Sequence, residues 1–344
     1  MTTLEAPEKP SEANVRNWVL ETIGPLVGRD LAKQMLRIPD TFFALRRRYA
    51  IGSIDITHRC NLKCKHCYFM EQGYSKELTD DEWIAFFERL KGTDFPFYQA
   101  SWVGGEPLMR AALARRLMGY FKANLVATNG SIPLPDWPDV NFYVSVDGTR
   151  EYYRDMRGRE DLYDRIKENC MREGLRITAA MVVSRENYVC MDEVVEEWTR
   201  TNIRGFLFQF FTPIRGLDDS MWPGWELRDR IIEKIRRMKR TYGDFIVNSD
   251  RSLVLMRSEN AKKVTRSCLY RRNAYALGPD GMRKRPCMMG PKADCSRCGC
   301  VLPYTMAAME EASVAARELA RSLRRVIIGP SERELKARAR RAGR

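Results

Sequence analysis

Three cysteines within eight residues, Cys60, Cys64 and Cys67 in "CNLKCKHC", are the densest set of soft metal ligands in the chain. Thiolates at such spacing hold zinc or an iron–sulfur cluster. A closed structural zinc site needs four ligands, and the thiols supply three, so His58 or His66 would have to complete it. A second group lies far downstream: Cys268, Cys287, Cys295, Cys298 and Cys300. Any four of these suit zinc or a cluster, with Cys300 either spare or displacing one of the others. Cys170 and Cys190 have no sequence neighbour and read as small buried hydrophobes. Cys190 also follows a predicted strand, where its thiol could act as a hydrogen donor.

The elements that must carry these groups alternate in type. Strands are predicted at 51–57, 97–103, 124–128, 142–146, 176–183 and 205–211. Helices are expected from Thr79, which opens a capping box with Glu82, and near 109–122, 161–173, 190–201 and 225–241. Six strands with intervening helices imply a parallel α/β sheet with right-handed crossovers. Six units are too few for a closed eight-stranded barrel, so the expected fold is a partial (β/α)6 barrel. The boundaries drawn are a leader with N-terminal helices (1–48), the α/β core (49–242), a small Cys-rich C-terminal extension (243–305) and a basic helical tail (306–344). In the extension, "GPDG" reads as a turn that sets Cys268 and Cys287 across a hairpin.

Ligands of parallel α/β folds bind at the carboxyl ends of the strands. There the sequence gathers "HRCNLKCKHCY", then "GGEP" (Gly104, Gly105, Glu106, Pro107), "TNG" with Asn129, and "SVDG" with Ser145. Each is an ordinary turn by itself. Their order at successive strand ends is not ordinary.

This joint pattern resembles the radical S-adenosylmethionine (SAM) superfamily, over roughly residues 50–215. The resemblance implies that Cys60, Cys64 and Cys67 hold a [4Fe–4S] cluster whose open iron chelates SAM. Reductive cleavage then gives a 5′-deoxyadenosyl radical, which takes hydrogen from an unactivated carbon. It also implies an external one-electron reductant of the flavodoxin or ferredoxin type. By the same resemblance, Gly104–Glu106 receives the SAM amine, Pro107 closes that motif, and Ser145 lies near the ribose or carboxylate. Arg157, twelve residues after Ser145, pairs with the SAM carboxylate. His66 and Tyr68 flank Cys67 near the adenine, with Asn129 a further candidate for that pocket. The second cysteine group resembles the auxiliary-cluster extensions of the SPASM and twitch types, which implies one auxiliary [4Fe–4S] cluster. "KRPCMM…DCSRCGC" is similar over about 35 residues to hopanoid-type radical SAM enzymes, which act on polyprenoid lipids.

The bulk composition is compatible with this. With 344 residues, 44% hydrophobic and 30% charged, the chain can bury a sizeable core. No run approaches a membrane span, and "MTTLEAPEKPSEANV" lacks the pattern of a signal peptide. The expected location is the cytoplasm, peripheral to a membrane if the tail docks there. The net charge is +14, and from Arg317 onward ten Lys/Arg stand against three Asp/Glu. The segment "ARELARSLRRVII" could lie on an anionic bilayer. A competing reading from another class is a zinc protein that recognises nucleic acid through that tail. A bare electron-transfer protein would need neither "GGEP" nor six βα units. The substrate, peptide or lipid or other small molecule, is not legible.

Overall fold

The computed structural model describes residues 51–93, 95 and 97–311. The N-terminal helices expected over 13–48 and all but the start of the basic tail lie outside these residues.

Seven parallel strands form one open sheet: β1 (Ile51–Thr57), β2 (Gln99–Gly104), β3 (Ala123–Thr128), β4 (Asn141–Ser145), β5 (Arg176–Val183), β6 (Gly205–Phe210) and β7 (Tyr275–Leu277). Their order is β6-β5-β4-β3-β2-β1-β7. The six expected strands are present within two residues at either end, and neighbours in sequence are neighbours in the sheet. This is the partial α/β barrel the alternation implied, left open as a sheet. Strand β5 shows the period-2 burial of such a surface, with Ile177, Ala179, Met181 and Val183 buried.

Crossover helices cover one face: α1 (Asp80–Leu90), α2 (Ala111–Met118), α3 (Arg150–Arg157), α4 (Leu162–Asn169), α5 (Met191–Trp198) and α6 (Gly224–Tyr242). The capping box of α1 forms as expected, with the Thr79 amide donating to Glu82 and the Glu82 amide to Thr79 Oγ1. Trp83 and Phe87 of α1 stack at 5.8 Å and pack into the same core as Ile54, Trp102, Phe142 and Phe208. Helix α3 adds a crossover element between β4 and α4, where the sequence pattern predicts only the helix near 161–173.

The Cys-rich stretch departs from a detached extension. After α7 (Asp250–Leu255), α8 (Ser258–Arg266) and α9 (Leu269–Asn273), β7 joins the sheet beside β1, pairing Tyr275, Ala276 and Leu277 with Gly52, Ser53 and Ile54. The "GPDG" turn forms, with Gly281 at φ +75°, but its second limb makes only one antiparallel bridge, Leu277 to Arg283. The chain then crosses to the opposite edge. Asp294 donates its amide to Pro213 O, and Phe210 of β6 donates to Gly299 O. A Cβ at Gly299 would stand 2.0 Å from Phe210 O, so this approach requires glycine. The strap therefore spans the seam between β7 and β6 before α10 (Val301–Glu310). Among the described residues, no helix is long and apolar enough to cross a membrane.

Candidate functional site

The loop after β1 carries Cys60, Cys64 and Cys67, all half-buried and free. Its conformation is fixed from several sides. Glu77 accepts from Thr57 Oγ1 at 2.6 Å and from the His58 amide at 2.9 Å. The Lys65 amide donates to Met156 O at the end of α3. The "GGEP" turn presses against the same loop: the Gly105 amide donates to Thr57 O and the Glu106 amide to Arg59 O. A Cβ at Gly105 would sit 2.0 Å from Arg59 O, and one at Gly104, itself at φ +121°, would sit 2.4 Å from Thr57 O. Two glycines are needed here because two backbones meet.

Glu106 is buried, and its carboxylate accepts from Thr128 Oγ1, the Asn129 amide and the Leu108 amide at 2.8–3.0 Å. Burial pushes its carboxyl up, against the pull of those three donors. Glu106 thus ties the end of β2 to the end of β3. Pro107 is buried behind it at the start of a short 3-10 turn. Asn129 donates to Asn61 Oδ1 at 2.9 Å, and its Nδ2 lies 3.9 Å from Cys60 Sγ. Ser145 ends β4 and is half-buried, as is Tyr68.

The centre of charge is Asp147, which nothing local in "SVDG" marks out. It is fully buried, takes Arg157 Nε at 2.7 Å and Nη2 at 2.6 Å, and has His66 Nε2 at 3.1 Å. It also accepts from the Val182 amide at 2.8 Å. Burial would raise its carboxyl, but Arg157 and His66 outweigh it and hold the group well below the usual range. Arg157 keeps Nη1 for the loop, 3.6 Å from Cys64 Sγ. His58, the chain's other histidine, lies 3.0 Å from Glu77 Oε2. Both histidines therefore stand against carboxylates. Among the described residues no three His, Cys, Asp or Glu side chains converge as a single-ion site. Thiolates of a cubic cluster hold separate irons and need not converge.

The residues fit a thiolate-held cluster. Cys60 and Cys64 are raised first by burial, with Glu106 and then Cys67 adding to Cys60 and Cys67 and then Asp147 adding to Cys64, and Arg157 opposes both. Cluster loading must therefore release protons, and a buried guanidinium stands ready for the negative charge that results. His66 Nδ1 is buried without a partner beside Cys67.

The second group is assembled by the strap. Cys268 caps α9, its Sγ accepting from the Arg271 amide at 3.4 Å, so it is no cross-strand partner of Cys287. The thiols are nonetheless close enough to affect one another: Cys287 is pushed up to about 11 and Cys298 to about 12, chiefly by burial, with Cys268 contributing to both. Beside them Arg228 of α6 is fully buried. It donates to Cys298 O at 2.9 Å and lies over the Phe210, Trp225 and Tyr304 rings at 4.8–5.7 Å. No carboxylate of the described residues pairs with it. Replacing Arg228 by Gln is expected to cost about 2–3 kcal/mol, read as a lower thermal midpoint.

Cys190 is buried in the core, where its thiol donates to Asn187 O at 3.1 Å. Cys170 is fully buried there too.

A further buried pair links the two cysteine groups. Asp55 of β1 meets Lys284 of the strap, both buried. Asp55 is held up to about 6, first by burial, with Lys284 pulling the other way. An aspartate within "SIDIT" was the visible signal for it, but its partner lies 229 residues on. Because the folded value exceeds the unfolded one, this group's contribution is fully present below about pH 4 and lost as pH rises through about 6. Thermal midpoints at pH 5 and pH 7 should thus fall more in the wild type than in Asp55→Asn.

Residues 54–197 match the Radical SAM superfamily model. The chain is 31% identical over 149 residues to the Fe-coproporphyrin III synthase of Methanosarcina barkeri, covering 39% of this chain and 37% of that one. It is 29% identical over 157 residues to the pre-heme d1 synthase of Dinoroseobacter shibae, covering 41% and 38%. The matched part is thus under two-fifths of either relative's length. The fold is similar to that of Streptococcus suis SuiB bound to S-adenosylmethionine, with TM-score 0.52 at 14% identity over 80% of this chain and 71% of that one. The domain match falls on the loop, turn and strand ends that the cysteines and glycines had marked, so residues 54–197 of the chain carry a radical SAM domain.

Proposed function

We propose that Cys60, Cys64 and Cys67 hold the SAM-binding cluster, that four of Cys268, Cys287, Cys295, Cys298 and Cys300 hold one auxiliary [4Fe–4S] cluster, and that the enzyme modifies an unactivated carbon of a small organic substrate. When bound, cluster and SAM supply a 5′-deoxyadenosyl radical on reduction. The protein's part is placement. The backbone of Gly104–Glu106 offers a seat for the SAM amine, pinned by Glu106 to β3. Asp147 keeps Arg157 extended toward the loop, where its remaining nitrogen can meet both a thiolate and the SAM carboxylate. Tyr68, Asn129 and Ser145 border the same rim. The electron comes from an external donor of the ferredoxin or flavodoxin type.

The observation that carries this reading is the convergence at one rim: the cysteine loop is bound to the "GGEP" turn by two backbone hydrogen bonds and to Asp147 through His66. A small-molecule substrate is favoured over a peptide because both curated relatives are named for tetrapyrrole products, whereas the likeness to SuiB concerns the fold. The same names weigh against a polyprenoid lipid. The experiment is metal analysis with visible and electron spin-resonance spectra of anaerobically purified protein. About 8 irons per chain without zinc are expected from two cubic clusters. About 4 irons with one zinc would reassign the second group.

A further inference from the structure

A cavity of about 470 Å³ opens beside the strap, lined by Tyr270, Arg271, Arg283, Lys284, Arg285 and Cys287 among others. Its volume lies in the range of small-molecule sites. Four of its lining residues are cations, and none is a carboxylate. Lys284 is paired with Asp55, while the arginine charges placed around the same concavity repel, and the low-dielectric wall strengthens the repulsion. An anion entering the cavity relieves it. Arg271 and Arg285 are exposed, and Lys284 is buried against Asp55. The site thus has a solvent mouth and a buried end that reaches β1.

The cavity is not the space the auxiliary cluster would fill. Of the five cysteines only Cys287 touches it, while Cys268, Cys295, Cys298 and Cys300 do not. It lies to one side of that group, against the outer limb of the strap, where Lys284 donates its amide to Ala276 O of β7. A molecule bound here contacts the auxiliary group at Cys287 and the sheet through Lys284.

We infer that this cavity binds the carboxylates of a small polyanionic substrate, seating its charged end beside the auxiliary cysteines. Guanidinium forks match carboxylate geometry in pairs, and the exposed Arg271 and Arg285 provide two of them. This rests on the small-molecule reading above and sharpens it to a polycarboxylate.

The test is calorimetric titration of the iron-loaded full chain, without reductant or SAM, using butane-1,2,3,4-tetracarboxylate. The expected result is saturable binding that weakens with salt, absent for the tetramethyl ester. The Arg271→Gln/Arg285→Gln double variant, with wild-type iron content and circular dichroism, should bind at least about tenfold more weakly, or about 1.4 kcal/mol. Arg271→Lys/Arg285→Lys should recover part of that loss. No binding at millimolar concentration, equal binding of the ester, or an unchanged double variant would overturn the inference. So would a hexaglutamate peptide that binds through the same arginines when the tetracarboxylate does not. SAM cleavage is not read in this experiment. A protein that cleaves SAM but fails here loses only the cavity assignment; one that binds but never cleaves SAM loses the enzymatic reading instead.

Discussion

A Cys60→Ala/Cys64→Ala/Cys67→Ala variant is expected to lose all SAM cleavage while keeping about half its iron, near 4 atoms per chain. The three thiols share one loop, and no histidine is available to replace them, since His66 faces Asp147 and His58 lies against Glu77. The loop itself should stay in place. Its anchors are backbone contacts to Gly105, Glu106 and Met156 and the Glu77 carboxylate, none of which uses a thiol. Iron held by the second cysteine group, with Cys268 at the start of α9 and the other four thiols in the strap across the seam, should stay. Activity should fall to background, and the remaining spin-resonance signal should no longer respond to SAM. A variant that loses every iron would show that the downstream cysteines hold no cluster of their own.

Asp147→Asn should be the most damaging single substitution away from the thiols. The amide keeps the shape but removes the charge that Arg157 and His66 share inside the core. A buried guanidinium then lacks its counter-ion, which costs about 3–5 kcal/mol. For a chain of this size that corresponds to a thermal midpoint lower by on the order of 10 °C. The second variant Asp147→Asn/Arg157→Met should regain most of that stability, because it removes the stranded cation as well. It should not regain SAM binding, since Arg157 no longer reaches the loop. The pH dependence has a definite sign. Asp147 titrates below its ordinary value when folded, so its contribution is present above about pH 4 and lost as the pH falls. A midpoint lowered by less than about 3 °C in Asp147→Asn would show that the triad is not a keystone of the site.

Much of this architecture could be read from local pattern, for physical reasons. Strands such as "RITAAMVV" declare themselves through β-branched residues and period-2 burial, and the cysteine loop through ligand density. The glycines of "GGEP" mark a close backbone approach that the structure places against Thr57 and Arg59. What escaped needed partners distant in sequence. "YAL" at Tyr275–Leu277 is too short to show a period and is a strand only because β1 offers an edge. Asp147 looked like a turn aspartate in "SVDG" until α3 brought Arg157 back over it. Lys284 and Arg228 carry no local sign that they are buried, since cations among charged neighbours usually face solvent. The hairpin expected around "GPDG" was half right, because sheet extension competed with cross-strand pairing and took its first limb. Helix α3 was overlooked because its buried face, Tyr153, Met156 and Arg157, is short and includes a charged residue.

The most direct measurement is the formation of 5′-deoxyadenosine. Protein purified without oxygen, loaded with iron and sulfide, and given SAM and a strong one-electron reductant should release it in an amount that scales with the cluster at Cys60, Cys64 and Cys67. Fully loaded protein that yields none, with candidate polycarboxylate substrates or without them, would contradict the account.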